Sequence, residues 1–252
     1  EAATQALIND EVDVLVTAPI NKHNIQQENF SFPGHTDYLA QKLEGDSLMF
    51  MVTDTPKVGL FTDHLPVKEV SDVITPELIK KKMTLVQKSL IQDFGIRKPK
   101  IAVLGINPHT GDNGVIGSED DVVLRPTLAE LSEQGMLVFG PFAADSFFGS
   151  NAYAQYDAIV ESYHDQGLIP FKTLSFGEGV NFTAGLRKIR TSPDHGTAYE
   201  IAGKSLANEA SFRAAVFSAL SIYNKRQEHE EITQNVLKIS APKPREKNNL
   251  KL

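Results

Sequence analysis

The sequence predicts an α/β protein with a largely parallel sheet, and three observations point there. Apolar, β-branched runs alternate with longer segments of helical period. The helical segments carry their own start and stop residues. The 252 residues suffice for one large domain or two interleaved ones. Candidate strands are Val12 to Val16, Val58 to Phe61, Ile101 to Gly105, Met136 to Phe139 and Ala158 to Glu161. A helix opens at Pro76-Glu77 and runs to about Phe94, with Thr75 as N-cap and Gly95 closing it. A second spans about Val122 to Gln134. A third lies in ANEASFRAAVFSALSIYNK, whose Ala, Phe and Leu residues recur at the spacing of a core-facing stripe.

Composition excludes several function classes. Lys and Arg number 25 against 32 Asp and Glu, a net charge of -7, which argues against a duplex nucleic-acid binder with a broad cationic face. No cysteine is present, so disulfides, thiolate nucleophiles and Cys-ligated zinc are excluded, and any metal must use His, Asp, Glu or backbone oxygen. No apolar run reaches the roughly 18 residues of a membrane span, and the N-terminus lacks a signal-peptide pattern. The expectation is a cytoplasmic protein without a membrane partner. The last residues, SAPKPREKNNLKL, have little to bury and read as a solvated tail.

Three strand candidates end alike. VGLF is followed by Thr62-Asp63-His64, IAVLGI by Asn107-Pro108-His109, and the run through Ser162-Tyr163 by His164. In a parallel sheet these ends share one edge, so the imidazoles can converge. Three neutral imidazoles with an open position suit a divalent cation, zinc most commonly, that polarises a substrate oxygen. The intervals of 45 and 55 residues match no compact metal motif, and a lone histidine hydrogen-bonded in a loop is the ordinary alternative for each. Val12 to Val16 leads on to Lys22, and Met136 to Phe139 on to Asp145. The turn FGEGVN, bracketed by Lys172 and Arg190, could approach a phosphate or carboxylate; an ordinary turn and solvated charges are the plain readings.

The blocks GHTDYLA, TDHLPVKEVSDVITP, GINPHTGDNGVIGSED, YHDQGLIPFK, FGEGVNFTAGLRKIRTSPDHGTA and EIAGKSLANEASF, in order from about Val12 to Tyr223, resemble the 4-hydroxythreonine-4-phosphate dehydrogenase family. The resemblance implies a two-domain fold of the isocitrate/isopropylmalate dehydrogenase type. Residues 1-36 and 176-252 would form the nucleotide side, 37-175 the central domain, with the active site in the cleft between them. It places metal ligands at His64, His109 and His164, and substrate contacts at His35, Thr36, Lys172, Asn181 and Arg190. The stretch DHGTAYEIAGKSLAN is similar to the superfamily's adenine-binding loop and assigns His195, Gly196, Thr197 and Asn208 to the dinucleotide.

The implied reaction is oxidation of 4-phosphohydroxy-L-threonine, a small phosphorylated hydroxy-amino acid, to a 3-oxo acid that loses CO₂, a step of pyridoxal 5′-phosphate biosynthesis. NAD or NADP would take the hydride, with Zn²⁺, or else Mg²⁺ or Co²⁺, at the histidines. Asp165 and Asp145 are candidates for the catalytic base or for orienting a ligand histidine. A homodimer with a shared active site is implied. Alternatives are a dehydrogenase of 4-phosphoerythronate or phosphothreonate, a non-catalytic metal-binding fragment, and an acyltransferase of the same architecture. The chain departs from the family pattern in two respects: a Gly-rich block that members carry on their first strand is not in this sequence, and Glu178 stands where a basic residue is common. The first points to a segment missing upstream, the second to altered phosphate or cofactor preference.

Overall fold

The computed structural model describes residues 1–21, 23–26, 32 and 34–236. Lys22 and the C-terminal stretch expected to be solvated lie outside the described residues. The elements in chain order are α1 (Ala2–Ile8), β1 (Val14–Val16), α2 (His35–Lys42), β2 (Gly45–Val52), β3 (Lys57–Leu60), α3 (Val70–Val73), α4 (Pro76–Gln92), β4 (Ile101–Leu104), α5 (Arg125–Glu133), β5 (Val138–Phe142), α6 (Ala144–Gly149), β6 (Ala158–Glu161), α7 (His164–Ser175), β7 (Val180–Leu186), β8 (Ile189–Pro193) and α8 (Ala210–Thr233).

All eight strands join one sheet in the order β1-β8-β7-β2-β3-β6-β4-β5. The junctions β3/β6, β6/β4, β4/β5 and β1/β8 are parallel. Those of β2 with β3, β2 with β7 and β7 with β8 are antiparallel. The five strands read from sequence are all present, with ends shifted by up to three residues. Three further strands, β2, β7 and β8, have no counterpart among the sequence candidates, and each takes part in an antiparallel junction. Residues 37–175 and 176–252 both contribute strands to this sheet through the β2/β7 pairing.

The two faces follow from the alternation of side chains along each strand. Leu48, Phe50 and Val52 of β2, Ile101 and Val103 of β4, and Ala158 and Val160 of β6 face a core that includes Ile79, Met83, Val86 and Leu90 of α4 and Ala215 and Ile222 of α8. Met49 and Met51, Val58 and Leu60, Ala102 and Leu104, and Ile159 face the other way, onto Leu168 and Phe171 of α7 and Phe147 of α6. Both faces are covered, which is why β3, β4 and β6 are apolar almost throughout. Helix α4 starts as its sequence requires: Thr75 Oγ1 accepts from the Leu78 N–H at 3.2 Å, and Gly95 past its end has φ +71°. Helix α7 needs a glycine where it crosses β3 and β6, because a Cβ on Gly167 would lie 2.7 Å from Leu60 Cδ2 and 3.0 Å from Glu161 Oε2.

Candidate active site

Because β3, β6 and β4 run parallel, their C-terminal ends share an edge, and His64, His109 and His164 all leave from it. His64 and His164 come together, with ring centroids 5.7 Å apart. His164 opens α7, and its Nδ1 is 2.7 Å from Asp165 Oδ1, a pairing that fixes the ring and leaves Nε2 for a ligand. His109 does not join them. It sits in a left-handed turn at φ +52° and lines a separate cavity of about 660 Å³ with Asp145, Asp165, Tyr153 and Ile169. Among the described residues, no group of three His, Asp or Glu side chains within the chain is placed to hold a metal ion.

The His64/His164 pair opens onto a cavity of about 240 Å³ on the α7 face of the sheet. Met49, Met51, Asn181 and Arg190, from β2, β7 and β8, line it with His35 and Thr36 of α2, Asp194, His195 and Gly196. The antiparallel junctions turn β1 opposite to β3, so residues 18–20 approach the cavity from the far edge rather than from beside the histidines.

Arg190 dominates the cavity electrostatically. It is only 3% exposed. Its Nε and Nη2 donate to Thr17 Oγ1 at 3.0 and 2.7 Å, its Nη1 donates to Thr183 Oγ1 at 3.3 Å, and Nη2 lies 3.4 Å from His35 Nδ1. These partners are neutral, so among the described residues the guanidinium has no ion pair. Burial lowers its pKa to about 10, which still leaves it charged at neutral pH. Burial, then the Arg190 charge, pull His35 down to about 4, so that ring stays neutral beside the cation. Asn181 Oδ1 is buried without a hydrogen-bond partner among the described residues. A fixed cation, a neutral imidazole and an unsatisfied amide together make a receptor for an anionic, hydroxylated molecule.

Other expected site residues fall elsewhere. Lys172 stands beside the cavity wall, its Nζ 3.5 Å from Asp194 Oδ1. Asp165 and Asp145 are on the His109 side, although Asp165 touches His164. Asn208 lies in the loop before α8, where its Oδ1 accepts from the Ala210 N–H at 2.8 Å. Thr197 is half-buried in the loop after Gly196. Glu178 lines a different cavity, with Lys57, Phe94 and Phe217, away from Arg190. Asp194, which no sequence motif singles out, lines the histidine cavity, and burial pushes its carboxyl up against the opposing pull of Lys172. Its signal was its place directly before the His195-Gly196 loop.

Residues 1–219 match the family model for the pyridoxal phosphate biosynthetic protein PdxA. The chain belongs to the PdxA family. It is 50% identical over 229 residues to a 4-hydroxythreonine-4-phosphate dehydrogenase of Bacteroides thetaiotaomicron, covering 90% of this chain and 63% of that protein. The chain therefore spans somewhat less than two thirds of that PdxA relative. The crystal structure of a 4-hydroxythreonine-4-phosphate dehydrogenase from Klebsiella pneumoniae superposes with a TM-score of 0.76 at 36% identity, over 88% of this chain and 68% of that one. An isocitrate dehydrogenase from Methylococcus capsulatus matches at TM-score 0.56 and 14% identity, over 92% of this chain and 74% of that one. At that identity the likeness concerns the fold, and it agrees with the architecture expected for a PdxA protein.

Proposed function

We propose that the chain carries the substrate-oxidising site of a 4-hydroxythreonine-4-phosphate dehydrogenase, taking 4-phosphohydroxy-L-threonine to the 3-oxo acid that decarboxylates to 3-amino-2-oxopropyl phosphate. The observation that carries this is Arg190, a buried cation without an ion pair among the described residues, facing the same cavity as His64 and His164. The guanidinium, with His35 and Thr36, takes the phosphate, and the first turn of α2 turns its N–H groups toward the same anion. Asn181 donates to or accepts from the polar remainder of the substrate. Anchored at one end, the substrate lies with its secondary alcohol toward the two imidazoles.

A divalent cation, zinc by the donor chemistry, fits His64 and His164 as two of three ligands, and His109 of a second copy would be the third. Bound there it supplies Lewis acidity toward the substrate oxygens, while NAD or NADP in the loop of His195, Gly196, Thr197 and Asn208 supplies the hydride acceptor. Asp165 holds the His164 ring through Nδ1. The cavity draws on residues 18–20, 34–36, Asn181, Arg190 and residues 192–196 from one proposed lobe and on Met49, Met51, His64 and His164 from the other, which supports a cleft between them. The proposed setting is the cytoplasm.

The test is turnover of 4-phosphohydroxy-L-threonine, 4-phosphoerythronate and phosphothreonate with NAD and with NADP, in the presence of zinc. Faster reduction of cofactor with either of the last two would replace the proposed substrate, and no reduction with any would reject a dehydrogenase activity for this chain.

A further inference from the structure

The turn that the sequence marks as a possible anion cradle is already filled from within the chain. Gly179 is the second glycine of FGEGVN, and a Cβ there would lie 2.8 Å from Asp194 Oδ2 and 3.1 Å from Asp194 Cβ. Absence of a side chain at 179 is what lets the Asp194 carboxylate rest against the turn. The Asp194 N–H donates to Ser211 Oγ at 2.9 Å and is 3.2 Å from Gly179 O, and the Ser211 hydroxyl donates to Gly179 O at 2.7 Å. The entry to β7, the exit of β8 and the first turn of α8 thus fix the backbone of one aspartate, and the glycine turn lies against its carboxylate. Its partner is Lys172 in the last turn of α7, at 3.5 Å, the aspartate side chain 12% exposed and the lysine 53%.

We propose that Asp194 is the positioning residue for Lys172, pinning its ammonium at the cavity wall where the loop of His195 and Gly196 begins. A lysine on a four-carbon stem samples many rotamers, and a carboxylate on a backbone held in this way narrows that freedom before a ligand arrives. The cation is then set to meet the end of a substrate already anchored at Arg190, on the opposite side from the phosphate grip. Asp194 acts here through Lys172 rather than on the reacting atoms. The identity of that substrate rests on the function proposed above; the pairing does not.

Two measurements on the full chain test this. In the absence of substrate, acetylation by acetic anhydride, read by mass spectrometry with exposed Lys68 as internal standard, should run about two- to fivefold faster at Lys172 in Asp194→Asn, the range for a partly exposed ion pair. Gly179→Ala, whose added methyl crowds both the carboxylate and the Phe171 ring without changing charge, should do the same. Unchanged labelling in both variants overturns the proposal. In turnover of 4-phosphohydroxy-L-threonine, Asp194→Asn should lower kcat/KM about tenfold in the parent chain through misplacement of the lysine. It should have almost no effect in a Lys172→Ala background. An equal fall in both backgrounds assigns Asp194 a role independent of Lys172 and also overturns it. A parent chain without turnover rejects the activity while the labelling still decides the pairing.

Discussion

Arg190 and Glu161 are the two buried ionisable residues whose environments have the clearest consequences. Among the described residues Arg190 keeps three neutral partners and no carboxylate. Arg190→Lys loses the planar fork that spans Thr17 and Thr183, and hydrogen bonds to charged groups of about 1.5–3 kcal/mol translate to a rise in KM of about ten- to hundredfold. Steady-state kinetics on the phosphorylated substrate reads this, and an unchanged KM would remove Arg190 from the anion site. Glu161 is fully buried beneath α7, both carboxyl oxygens lack partners among the described residues, and burial raises its pKa well above 4.5. The folded state therefore holds this proton at pH values where the unfolded chain has released it, and stability falls as pH rises through that window. Glu161→Gln abolishes the fall. The difference in Tm between variant and parent should grow from pH 5 to pH 8, and a pH-independent difference would contradict a neutral buried acid.

At the scale of elements, how readable each one was depends on its punctuation. Thr75-Pro76 announces α4 by residue type alone, and the Thr75 hydroxyl takes the Leu78 N–H. Thr75→Ala should cost about 1 kcal/mol in urea unfolding, a loss that belongs to the helix cap and should leave turnover intact. Helix α7 was hidden because Gly167 and Pro170 both lie inside it, and each by itself argues against a helix. Gly167 is set by close passage over Glu161 and Leu60, a tertiary fact with no local trace. Strands β2, β7 and β8 escaped for a related reason. GDSLMFMV mixes polar and unbranched residues, while VNFTAGL and IRTSP carry Asn, Thr, Arg and Ser that turn toward the cavity or into the sheet. The residues that make the site thus disguised the strands that bear it. The strand-end histidines were legible because each follows a plain apolar run. That only two of them meet within the chain was not, since loop geometry after β4 sends His109 into its own cavity.

For the whole molecule, the question is how a third imidazole reaches the His64/His164 pair. Those rings face one cavity at 5.7 Å, whereas His109 faces the other, with Ile106, Phe148, Tyr153 and Ile169 around it. An apolar cavity of that kind beside a polar site suits burial against a second copy. In a twofold dimer any contact made by one subunit on its partner is returned, so each His109 would complete the other subunit's pair. This arrangement makes a prediction that a single-chain site cannot. His64→Ala and His109→Ala should each abolish activity and lower zinc content by themselves. When the two inactive variants are unfolded together, refolded at equal concentration and supplied with zinc, half of the dimers formed are hybrids. In each hybrid one site lacks both ligands and the other is intact, so about a quarter of the parent activity returns. The measurement is turnover of 4-phosphohydroxy-L-threonine after mixing, alongside the parent taken through the same cycle. Recovery near that fraction places His109 across the subunit contact, and none, with the parent recovering fully, confines the ligands to one chain.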